Sequence, residues 1–205
     1  ELAIGPETVR ASEFWSEAWE AQGAGPVVGV NPGAGWRFPT KRWPDAAVLD
    51  FAMELAGRRP DARIVLLGGE AERQRNEELV VRSKGRLMPT PSNLTLEEFI
   101  GIVASLSALV STDSLALHIG IGLKLPLVAL FGSTSAVEID LFGRGTKVVS
   151  DFECSPCYLK ECPQPVFCMD HLTGARVAEE VARRLAPAAA PSAPGDGVTP
   201  SPATG

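Results

Sequence analysis

An α/β fold built on a doubly wound parallel sheet is what the 205-residue sequence predicts, and three observations predict it. Short aliphatic runs alternate with polar-faced segments of helical length. The runs are continuously apolar, which is the pattern of strands covered on both faces. The segments between them are long enough for right-handed helical crossovers joining parallel strands.

The elements follow in order. Residues 7–20 place Phe14, Trp15, Ala18 and Trp19 on one stripe of an amphipathic helix. Gly23, Gly25 and Pro26 break it, so residues 1–26 read as a connector. Val27 to Asn31 is a buried strand, followed by a turn-rich loop and a helix from Pro44 to about Arg59. Arg63 to Leu67 is the second strand, Gly68-Gly69 a tight turn, and Glu70 to Ser83 a helix. Arg86 to Met88 is a weak strand, and Thr95 with Glu98 fits a capping box opening the next helix. Ala108 to Ser111, Pro126 to Phe131 and Lys147 to Val149 are further strands. Ser114 to Leu123 and Thr173 to Leu185 are helices, so one sheet domain spans 27–186. Residues 187–205, rich in Pro, Gly and Ala, read as a disordered tail.

Composition narrows the function. With 45% hydrophobic and 21% charged residues, a sizeable core forms and global disorder is excluded. Asp and Glu number 25 against 19 Lys and Arg, a formal charge of −6, and no basic stripe is present. A nucleic-acid partner is therefore not expected. No apolar run reaches the length of a membrane-spanning helix. The opening Glu1-Leu2-Ala3-Ile4 has neither an initiator Met nor a signal peptide, and is expected to be a cut inside a longer protein.

In a doubly wound sheet, ligands sit beyond the carboxyl ends of the strands, so the strand–helix loops hold the candidate chemistry. Asn31-Pro32-Gly33-Ala34-Gly35 lets backbone amides approach an anion, and Lys41 and Arg42 precede the next helix. Phe38 stands where a dinucleotide fingerprint needs its third glycine, and the Gly-Lys-Ser/Thr of a P-loop is absent. A structural turn with solvated cations fits the same residues. In Gly68-Gly69-Glu70, a carboxylate can accept from ribose hydroxyls, or simply favour a helix start. In Ser111-Thr112-Asp113-Ser114, either Asp113 or Ser114 can cap the next helix. His118 lies about 140° from Asp113 on an ideal helix, so the two do not form a same-face metal pair.

Cys154, Cys157, Cys162 and Cys168 crowd one loop with the spacing C-x2-C-x4-C-x5-C. Four zinc thiolates, two disulfides and four free thiols all remain open readings. No carboxylate stands out as a general base.

Taken in order, Pro32-Gly33-Ala34, Lys41-Arg42-Trp43-Pro44, Gly68-Gly69-Glu70, Asn93-Leu94-Thr95-Leu96-Glu97, Thr112-Asp113-Ser114 with His118, and Leu130-Phe131-Gly132 resemble glycosyltransferase family 9, the ADP-heptose:lipopolysaccharide heptosyltransferases. The cysteine run also looks like that of many bacterial members. The resemblance covers about Val27 to Leu185. It implies the C-terminal half of a GT-B enzyme, a Rossmann-like domain holding a nucleotide-sugar donor, ADP-heptose or another nucleotide-diphosphate sugar. A glycolipid acceptor would be held by an N-terminal half that the chain lacks.

By the same resemblance, Gly33 and Ala34 belong to the nucleotide-sugar site, Lys41 meets the diphosphate and Glu70 holds the ribose. The backbone near Leu94 lines the adenine, while Asp113, Ser114 and His118 form the phosphate- and sugar-facing loop. Transfer is inverting, needs no metal or other cofactor, and draws its base from the missing half, so this chain alone is expected to be inactive. The implied location is cytoplasmic or peripheral at the inner membrane. Leu115 stands where many members have Gly. That departure motivates an alternative, a non-catalytic nucleotide-binding or interaction module. A flavin or NAD oxidoreductase domain is the third reading.

Overall fold

The computed structural model describes residues 2–185, so the expected tail lies outside the described residues. Six strands form one parallel sheet: β1 Val27–Asn31, β2 Arg63–Leu66, β3 Leu87–Pro89, β4 Ala108–Thr112, β5 Leu127–Phe131 and β6 Gly145–Val149. Their order is β3-β2-β1-β4-β5-β6. The helices are α1 Pro6–Ala21, α2 Asp45–Arg58, α3 Arg73–Arg82, α4 Leu96–Ala104, α5 Leu115–Gly122 and α6 Gly174–Arg184.

Strand periodicity divides the core into two layers. Val28 and Val30 of β1 point into a cluster with Trp43, Phe51, Leu55, Leu79 and Val177, beneath α2, α3 and α6. Val27 points the other way, into a cluster with Val65, Ile102, Leu109, Leu117 and Phe131, beneath α1, α4 and α5. Gly29 lies on that second face, where a Cβ would stand 2.4 Å from Leu106 Cδ1, so a side chain there would displace the Leu106 side chain.

The expected connector helix α1 packs along α4. Its buried Trp19 donates through Nε1 to Ser105 Oγ at 3.0 Å. Gly101 permits the approach, because a Cβ there would sit 2.5 Å from the Ala11 Cβ.

Several boundaries differ from expectation for local reasons. The helix expected from Glu70 opens instead as a 3-10 turn, Glu70–Glu72, because the Glu72 carboxylate folds back to accept the Gly69 amide at 3.0 Å. β6 begins at Gly145 rather than Lys147. A side chain at Gly145 would overlap Leu141 and Leu127, so a residue that reads as a turn serves in a strand. β3 is short and ends in Pro89, which an edge strand tolerates. The Thr95 capping box forms: the Thr95 amide donates to Glu98 Oε2 at 2.7 Å, and Thr95 Oγ1 accepts the Glu98 amide at 3.2 Å.

All four cysteines are free thiols in this structure. Cys154 and Cys162 are exposed, whereas Cys168 is buried at the start of the turn Cys168–His171. Burial, helped by the three neighbouring cysteines, pushes the Cys168 thiol up to about 11. A thiol above its ordinary range is less ionised at any given pH, and only the thiolate attacks. Maleimide labelling at pH 8, read by mass spectrometry, should therefore modify Cys154 and Cys162 well before Cys168, whose thiolate fraction is on the order of one in a thousand. Equal rates at all three positions would contradict the burial of Cys168.

Candidate functional site

Strand order fixes where a ligand can sit. β1 leads its crossover toward β2 on one side, and β4 leads toward β5 on the other. The loops after β1 and β4 therefore diverge and leave a crevice at the carboxyl edge. A cavity of about 460 Å³ occupies this place. Gly33, Ala34 and Gly35 line it from β1, Gly68, Gly69 and Glu72 from β2, and Leu94, Leu96 and Phe99 from the β3–α4 region. Ser114 and Leu115 close it from β4.

The β1 loop is tied down by buried polar groups at the strand ends. Asn31 Nδ2 donates to the Gly33 carbonyl and to Ser114 Oγ, both at 2.9 Å. Thr112 Oγ1 donates to the same Gly33 carbonyl at 3.1 Å. Buried polar atoms left without partners are costly, so these bonds fix the loop across the β1–β4 gap. Glu72 ties the other side. Its Oε1 accepts the Gly35 amide and its Oε2 the Gly69 amide, each at 3.0 Å. Gly35 has φ of +73°, a left-handed turn that favours glycine.

Lys41 and Asp113 meet across the same gap. Nζ lies 2.8 Å from Oδ2, with both side chains 17% exposed. Lys41 Nζ also stands 4.8 Å from the centre of the Phe38 ring. His118 Nε2 is 3.9 Å from Asp113 Oδ1, and its side chain is 56% exposed. The expectation concerned only a same-face metal pair, and this approach at 3.9 Å is of a different kind. Asp113 sits in the turn before α5, off the helix, and its carboxylate turns toward the first helical turn. Ser114 occupies the N-cap but makes no cap hydrogen bond. Its hydroxyl is held by Asn31 and by Ser111 Oγ at 2.9 Å, so the first amides of α5 receive no side-chain cap.

The structure thus brings Lys41, Asp113 and His118 together beside the cavity that Gly33, Ala34, Leu94 and Ser114 line. Glu70 stands one step outside. Its Oε1 pairs with Arg73 Nε at 2.8 Å and its Oε2 accepts from Ser92 Oγ at 2.9 Å, which holds the carboxyl below its ordinary range. Ser92 itself lines the cavity. Sequence reasoning missed Asn31, Glu72 and Phe99. The spacing of Gly69 and Glu72, a carboxylate three residues into a helix start, was the available signal for one of them. Among the described residues, no three His, Cys, Asp or Glu side chains are placed to hold a metal ion.

Chemically, the cavity has two ends. The glycine loops, Lys41 and the uncapped α5 amides suit an anion. Leu94, Leu96 and Phe99 offer an apolar surface for a flat ring.

Comparison with known proteins agrees with this geometry. The profile of glycosyltransferase family 9 (heptosyltransferase) matches residues 6–167. Lipopolysaccharide heptosyltransferase 2 of Salmonella typhimurium is 30% identical over 114 residues, covering 54% of this chain and 32% of that protein. Two solved Escherichia coli structures share the fold. ADP-heptose lps heptosyltransferase II superposes with a TM-score of 0.68 at 20% identity, covering 90% of this chain and 53% of the other. Heptosyltransferase WaaC with ADP superposes with a TM-score of 0.56 at 19% identity, covering 83% and 48%. The chain therefore spans about a third of that curated relative and about half of these solved chains. With a family profile matched over most of its length, the chain belongs to glycosyltransferase family 9.

Proposed function

We infer that this domain binds the nucleotide-sugar donor of an inverting glycosyltransferase. The donor is ADP-heptose or a similar nucleotide-diphosphate sugar, and the acceptor is a lipopolysaccharide-core-type glycolipid. The observation that carries the reading is the two-ended cavity at the β1–β4 gap with the Lys41–Asp113 pair beside it. The solved relative that contains ADP supports the choice of nucleotide.

The chemistry follows from where charge develops. Cleaving the sugar–phosphate bond leaves a nucleoside diphosphate with growing negative charge. Lys41 Nζ and the first amides of α5 stand where that charge can be stabilised. Asp113 orients Lys41 before the donor arrives, and its second oxygen faces His118. Leu94 and Phe99 receive the adenine, while Gly33 and Ala34 leave room for the phosphates. Glu70 reaches the ribose only when its carboxylate leaves Arg73 or Ser92. Its lowered pKa keeps it an acceptor through the neutral range.

A second reading has its own observation. Leu115 is 59% exposed and lines the cavity at the first turn of α5, where a side chain obstructs backbone approach to a diphosphate. A non-catalytic module with weakened nucleotide binding would look like this.

Calorimetry separates these cases. ADP and ADP-heptose should each give saturable heat. Lys41→Ala should weaken ADP about tenfold to a hundredfold, the loss of one charge-assisted hydrogen bond, with little change in Tm. Glu72→Ala should weaken binding and also lower Tm by a few degrees, because two loop amides lose their acceptor. No saturable heat at millimolar ligand would contradict the donor reading. Nucleotide affinity that appears only in Leu115→Gly would favour the non-catalytic module.

A further inference from the structure

At the opposite edge of the sheet, where β5 and β6 begin, lies a second cavity of about 580 Å³. Lys124, Arg144, Arg183 and Arg184 line it, with Glu180 as the only acidic lining residue among the described residues. Four cations thus converge from three separate segments in a chain of net charge −6.

Two of them, Arg144 and Arg184, hydrogen-bond to neutral oxygens. Glu180 and Glu179 both contact Arg183 Nη2 at 3.0 Å, so the acids gather on one guanidinium. Arg184 Nε and Nη2 both reach Thr146 Oγ1, at 3.0 and 2.8 Å, with no ion pair among the described residues. Arg144 is held by a neutral carbonyl, that of Ile121, at 3.1 Å. Among the described residues, its Nε is buried without a hydrogen-bond partner. The exposed Phe142 ring flanks the Arg144 guanidinium at 5.3 Å and restricts how it can turn away. Several guanidinium forks around one opening match the spread oxygens of a phosphate better than they match a single carbonyl.

We propose that this pocket binds the phosphate group of an anionic ligand. Arg144 and Arg184 are the primary contacts, and Lys124 and Arg183 line the same opening. The ligand is either a phosphate-bearing small molecule or the headgroup of an anionic lipid. The pocket lies at the amino edge of the strands, away from the donor crevice, so the proposal stands independently of the donor reading.

The test uses the full chain carrying Lys41→Ala, which removes the cation of the donor crevice as a competing site. Inorganic phosphate is titrated calorimetrically to about 10 mM, at about 0.05 M salt where surface charge is little screened. Phosphatidylglycerol and phosphatidylcholine vesicles are tested by co-sedimentation. Phosphate binding in solution identifies a small ligand; binding to phosphatidylglycerol vesicles alone identifies a headgroup. In either case Arg183→Gln with Arg184→Gln should weaken binding at least about tenfold, and phosphatidylcholine should not bind. Should that double variant lose its cooperative melt, Arg184→Gln alone is read instead, and weakened binding again supports the pocket. The proposal is overturned if neither phosphate nor phosphatidylglycerol binds. It is equally overturned if the folded variant binds as the parent does, or if both lipids bind alike.

Discussion

The whole carboxyl rim depends on one topological constraint, the parting of the chain after β1 and β4. Parallel strands need right-handed crossovers, and these two set out in opposite directions from neighbouring strands. No element fills the gap they leave. The fold thus produces an opening without sacrificing core, since both faces of the sheet stay covered by helices. What the sequence adds is polar chemistry at the strand ends. Asn31 and Thr112 close β1 and β4, and both donate to the Gly33 carbonyl.

Two kinds of interaction divide the labour there. The Asn31, Thr112 and Glu72 hydrogen bonds join backbone to side chain with good geometry, so they set loop shape. The Lys41–Asp113 pair is different. It joins two flexible side chains at the rim of a cavity, and a partly exposed pair of this kind adds only about 0–1 kcal/mol to stability. A bond that contributes so little to folding can be rearranged by an arriving anion at small cost. Leu115 sits at the same helix start, so anion access through the α5 amides and obstruction by a side chain compete within one turn.

Much of the fold was legible because burial imprints a period. Continuous apolar runs marked β1, β4 and β5, and the Thr95–Glu98 spacing marked the start of α4. Legibility failed where tertiary contacts override local chemistry. Gly145 reads as a turn yet pairs within β6, because neighbouring Leu127 and Leu141 fill the space a side chain would take. The candidate site followed the same division. Loop position and residue type singled out Lys41, Asp113 and the glycines, since anion chemistry needs cations and bare backbone at strand ends. Glu72 was hidden because its role comes from holding two loops at once, with Gly35 37 residues upstream and Gly69 only 3, a pairing that neither charge nor period reveals. The approach of Asp113 to His118 was not legible, because Asp113 lies in the turn before α5 and ideal-helix spacing does not place its carboxylate.

Backbone amide mapping reaches the central claim most directly. The account places ADP at the β1–β4 gap, so nitrogen–proton correlation spectra recorded during an ADP titration should show the largest shifts at the amides of Gly33, Ala34, Ser114, Leu115 and Ala116, with smaller ones at Leu94 and Phe99. Shifts confined to the opposite edge of the sheet, around Lys124, Arg144 and Arg184, would contradict it.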